Sequence, residues 1–112
     1  MGRREYDFGF ASEGRACEFL EESGFEILER NFHSKFGEID IIARKGGVLH
    51  FVEVKATMGE YEAIYRLSPA KLKKLKLAIS HYILHYDVDI SYQIDLVCVE
   101  KERVWLLENV TF

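Results

Sequence analysis

Residues 37–55 read GEIDIIARKGGVLHFVEVK. Two β-branched apolar runs, IDIIA and LHFVEVK, flank Lys45-Gly46-Gly47, and a Gly-Gly pair between such runs signals a tight hairpin. With Gly46-Gly47 as a two-residue loop, Lys45 opposes Val48 and the numbers of opposed residues sum to 93. Asp40 then faces Glu53 and Glu38 faces Lys55, and strand alternation sends all four side chains to one face. Directly opposed Cβ atoms lie about 5 Å apart, where like charges repel. The Asp40/Glu53 pair therefore calls for something positive between its members.

A hard divalent cation meets that need, because it takes oxygen ligands and keeps water in the rest of its shell. The backbone carbonyl of Val54, whose side chain points the other way, offers a further ligand. Lys55 is too cationic to bind metal but is placed to orient or deprotonate a water and to steady a phosphorane-like transition state. The chemistry this suggests is phosphodiester hydrolysis assisted by Mg2+ or Mn2+. A second reading fits the same residues: a solvent-facing charge ladder in which the acids pair with Lys55 or Arg44, its register shifted by a bulge.

Around the hairpin, residues 3–23 read as a helix stopped at Ser23-Gly24, with Tyr6, Phe10, Glu13, Cys17 and Leu20 on the stripe that faces a core. Residues 25–32 alternate as a strand, and 57–67 lack a clear period and read as a loop. Ser68-Pro69 is an N-cap followed by a first-turn proline, opening a helix over 69–85. Strands follow at 91–100 and 103–110. The order αβββαββ implies a single α/β domain, a mixed sheet with flanking helices.

These motifs resemble a known family. GEIDIIA, twelve intervening residues between Asp40 and Glu53, and FVEVK look like the D-x(n)-E-x-K signature of the PD-(D/E)XK nucleases. More closely, they resemble the bacterial YraN-like family, grouped with Holliday-junction-resolvase-like proteins. Glu13 to Ala16, Gly24-Phe25, Arg30-Asn31-Phe32, Lys71 and the strand around Asp95 extend the likeness over roughly residues 9–99. The resemblance implies a restriction-endonuclease-like fold, Asp40 and Glu53 as metal ligands, Lys55 as catalytic lysine and Glu13 as an added helix-one carboxylate at the same site. It implies DNA, branched DNA included, as substrate, and a homodimer. The chain departs from the usual VEVK-T-R continuation by reading VEVKATMG, which removes the basis for a phosphate or partner-strand contact there.

Composition narrows the remaining choices. The net charge is −4, yet residues 66–86 carry five basic side chains (Arg66, Lys71, Lys73, Lys74, Lys76) and no acid. A polyanion would be met on that face alone, with Arg66, Lys71 and Lys74 as its contacts and Arg3 and Arg4 as a basic arm. Glu38 is expected to pair with Lys55. Asp95 is expected near the site or as a hydrogen-bonded structural acid, and Trp105 and Tyr61 as packing residues or base-stacking ones. The four histidines lack ligand spacing apart from His81 and His85, which extend the basic helix flank. Cys17 and Cys98 read as buried thiols, and the chain shows neither a signal peptide nor a membrane span, so a cytoplasmic location is expected. The contrasting function is a non-catalytic nucleic-acid-binding or adaptor protein that retains a nuclease fold.

Overall fold

The computed structural model describes residues 3–56 and 60–110, with side chains from residue 11 onward except those of 60, 61 and 65. The side chains of Arg3, Arg4, Tyr6, Phe10 and Tyr61 thus lie outside the described residues. Along the chain come α1 (Arg3–Glu22), β1 (Glu26–Ser34), β2 (Gly37–Lys45), β3 (Val48–Ala56), α2 (Glu60–Arg66), α3 (Pro69–His85), β4 (Tyr92–Val99) and β5 (Val104–Leu107). This is the expected order with one addition. The short helix α2 forms where a loop was expected, and it buries Ala63, with Leu67 buried just beyond its end. Ile64 packs against the same cluster as Ala63, and a helix of seven residues is too short to show a clear period.

The strands form one open sheet in the order β1-β2-β3-β4-β5, antiparallel except for the β3/β4 pair. Parallel neighbours need a crossover, supplied here by α2 and α3. Helix α1 and helix α3 pack on opposite faces. One core layer gathers Ala16, Cys17 and Leu20 of α1 with Ile41, Val52 and Val97. The other joins Leu72, Leu75, Ile79 and Tyr82 of α3 to Phe32, Ile39, Ile42 and Phe51. Both cysteines are buried thiols outside any disulfide. Trp105 packs beside Ala63, Leu96 and Cys98, with the Arg103 guanidinium 3.9 Å above its ring, so its role is packing.

The hairpin register is the expected one over five pairs, from Lys45↔Val48 to Ile41↔Val52. Beyond Ile41 the ladder stops. Strand alternation should put Ile39 and Ile41 on one face, but Ile41 packs in the α1 layer and Ile39 in the α3 layer. The same inversion occurs on β1, where Arg30 reaches Glu13 of α1 while Phe32 lies edge-on to Tyr82 of α3. Between them Asn31 takes a left-handed φ of 54°, a conformation that asparagine tolerates better than most side chains. Asp40 thus sits where β2 changes face and parts from β3.

Helix α3 begins as its sequence dictates. Ser68 is extended at φ −62°, ψ 160°, and its hydroxyl accepts from the Lys71 backbone N–H. The helix comes close to β2 at Gly37, where an added Cβ would stand 3.2 Å from the Lys74 carbonyl oxygen. Among the described residues no helix is long and apolar enough to cross a membrane.

Candidate metal and phosphate site

The parting of β2 and β3 leaves the Val54 N–H without a strand partner at β2, and the Asp40 side chain takes that place: Asp40 Oδ2 accepts from it at 2.8 Å. The group of Val54 that engages the acidic pair is therefore its N–H, not the carbonyl expected as a ligand. Glu53 lies close enough to share a hydrogen bond with Asp40, and the Lys55 ammonium is 3.2 Å from Glu53 Oε1. Burial, and after it the Glu53 charge, pushes the Asp40 carboxyl up to about 7, against the lowering effects of the Val54 N–H and Lys55. Beside the Glu53 charge and out of water, Asp40 gives up its proton less readily than an exposed carboxyl does.

Glu53 of the pair faces a cleft of about 390 Å³ lined also by Gly37, Glu38, Lys55, Leu67, Lys71, Lys74 and Leu75. Two of the expected phosphate contacts, Lys71 and Lys74, thus share one space with Glu53, an expected metal ligand, and with Lys55. The donor set fits a hard divalent cation: carboxylate oxygens from two side chains held close by the fold are what Mg2+ or Mn2+ selects.

A family model described as the uncharacterised protein family UPF0102 matches residues 12–99. The chain belongs to UPF0102, the YraN family. Its likeness to other members runs end to end. A UPF0102 protein of Campylobacter fetus is 55% identical over 112 residues, covering 100% of both chains. One of Campylobacter concisus is 55% identical over 99% of each chain, and one of Campylobacter jejuni 48% identical over 100% of each.

Other candidates in this UPF0102 chain fall differently. Glu38 does not pair with Lys55. It is 65% exposed and bonds His33 Nδ1 at 3.2 Å, because the ladder that would oppose it to Lys55 ends at Ile41 while β1 runs alongside it as far as Gly37. Glu13 is buried, and its Oε1 accepts from Arg30 Nε at 3.1 Å. Arg66 donates to the Ala56 carbonyl at 2.7 Å and pairs with Glu62, tying α2 to the end of β3.

The sequence reading missed one grouping. Donor atoms of His50, Asp95 and Glu108 lie within 4.8 Å of one another, so these three could hold a metal ion. Their internal bonding works against it. His50 Nδ1 is 2.5 Å from Asp95 Oδ2, while Asp95 Oδ1 accepts from Gln93 Nε2 at 2.8 Å and from the Asn109 N–H at 2.9 Å. A cation would have to displace bonds that already satisfy a fully buried acid. The grouping depends on the parallel β3/β4 register, Val52↔Asp95, a pairing across 43 residues that no local pattern announces.

Proposed function

We propose that this chain is a divalent-cation-dependent nuclease acting on DNA, with Asp40 and Glu53 holding Mg2+ or Mn2+ and Lys55 serving the attacking water. The observation that carries the reading is the buried Asp40 carboxyl set against Glu53 at the parted strand ends, with Glu53 facing a cleft walled by Lys55, Lys71 and Lys74. Such a pair is unfavourable for the fold alone, and a strongly perturbed acid in a cleft marks a functional site. When bound, the cation supplies Lewis-acid polarisation of a phosphoryl oxygen and a more acidic water.

The chain's own residues do the rest. Lys71 and Lys74 bind phosphates flanking the cut, and the α3 backbone, packed tightly at Gly37, holds them at a fixed height above the sheet. Lys55 stabilises charge that builds on the phosphoryl oxygens as the water attacks. The Val54 N–H keeps one Asp40 oxygen aimed, so a ligand is oriented before metal arrives.

The test is cleavage of linear, flapped and four-way DNA in Mg2+ or Mn2+, with calorimetric Mn2+ titration in parallel. Asp40→Asn and Lys55→Ala should each lower the cleavage rate by about 10³-fold, and only Asp40→Asn should also abolish Mn2+ uptake. Cleavage unaffected by either change sinks the assignment. Metal uptake by the parent without cleavage of any substrate would instead favour a binding protein that has kept the fold.

A further inference from the structure

The surface that continues from the carboxylate cleft carries a second kind of recognition chemistry. Along one flank of α3, Lys71, Lys74, His81 and His85 are all exposed. Beside His81, at the tip of the β1–β2 turn, stands Phe36, 41% exposed, with its ring centroid 6.3 Å from the imidazole. Lys35 Nζ lies 5.2 Å from the centre of the Phe36 ring. The rings of His81 and His85 are parallel to within 5°, their centroids 6.2 Å apart. Gly37, the residue after Phe36, is the point where β2 touches the Lys74 backbone, so the aromatic tip is fixed against the lysine end of the helix.

One continuous strip therefore runs from ammonium groups at the cleft to planar rings beyond it. No acid interrupts it on α3; Glu29, whose charge reaches Tyr82, marks its outer limit, and Glu38 is paired with His33. A duplex offers such a strip only phosphates, since its base faces are covered by one another. A single strand offers phosphates and free base faces together, and lysines interleaved with ring platforms are how proteins hold it.

We infer that the α3 flank and the β1–β2 turn form a track for single-stranded DNA, with phosphates on Lys71 and Lys74 and bases stacked on Phe36, His81 and His85. The substrate class is then DNA with a single-stranded segment leading into the cleft. This rests on the nuclease reading above and narrows it.

The test is fluorescence anisotropy of the full chain with a labelled oligo(dT) and with a duplex of equal length, in EDTA so that nothing is cut. Phe36→Ala and His81→Ala should each weaken single-strand binding about tenfold and leave duplex binding within twofold. Phe36→Trp should bind the strand as the parent does, whereas Phe36→Leu, which keeps the apolar bulk without the π face, should behave like Phe36→Ala. Replacing Lys71 and Lys74 should weaken both ligands and flatten the salt dependence. Equal losses on strand and duplex, or full strand binding by Phe36→Leu, would overturn the track. The nuclease reading is scored separately by Asp40→Asn cleavage: a large loss there with unchanged strand binding by Phe36→Ala removes the track alone.

Discussion

Asp40 and Asp95 lie two strands apart in one sheet and meet opposite fates. Asp95 is wholly buried, yet every direction around it is answered: His50 on one oxygen, Gln93 and the Asn109 backbone on the other. Asp40 is less deeply buried and receives the Val54 N–H, but its other neighbour is a second carboxylate. Burial by itself does not mark a site. What separates the two is whether the surroundings supply the charge and donors that an acid needs, and at Asp40 they do not. Its neighbour Glu53 lines a cleft, where a ligand can make the shortfall good.

The sharpest way to break this comparison is stability. Asp95→Ala should cost about 3 kcal/mol in urea denaturation, because it strands a buried imidazole, an amide and a backbone N–H at once. Asp40→Asn should leave stability equal or higher at neutral pH, since the amide oxygen still accepts from Val54 and the repulsion with Glu53 is gone. Equal destabilisation by both would erase the contrast.

A second measurement sharpens it by pH. In metal-free protein the Asp40 carboxyl sits at about 7, against an ordinary 3.8. Between those values the folded chain holds a proton that the unfolded chain has released, so folding stability falls as pH rises through that window. The loss is complete above about pH 7 and absent below about pH 4. Asp40→Asn should lack this part of the slope, and the difference between parent and variant isolates it. Adding Mn2+ at about 100 times its Kd should restore about 2.7 kcal/mol to the parent and nothing to Asp40→Asn.

The smallest effect concerns the wall of the cleft. Gly37→Ala brings a methyl against the Lys74 carbonyl and should cost about 1 kcal/mol, read as a fall in Tm. It should also weaken DNA binding, as α3 moves away from β2. A Tm unchanged by this substitution would show that the close approach is not needed.

Much of this was legible locally. The Gly-Gly turn set the pairing of β2 with β3, and Ser68-Pro69 placed the start of α3 to the residue. The juxtaposition of Asp40 with Glu53 follows from that turn, because both residues lie within a few positions of the last ladder pair. Glu38 shows where the extrapolation stops: strict alternation carried it to Lys55, but a left-handed asparagine on the neighbouring strand and the face change at Asp40 ended the ladder first. Such a twist is decided by packing between layers, not by the strand's own pattern. The Asp95–His50 pair was out of reach for the same reason at longer range, since its register is set only after two helices have crossed the sheet.

The acidic pair is also a feature of folding order. Asp40 and Glu53 are brought together by a two-residue turn, and a hairpin closes in microseconds, before long-range parallel pairing. The repulsion is therefore met at the first step of assembly, with α3 not yet in place to bring its lysines near. A proton taken up by the pair, or a cation captured by it, would ease the nucleation of the very sheet that later depends on it.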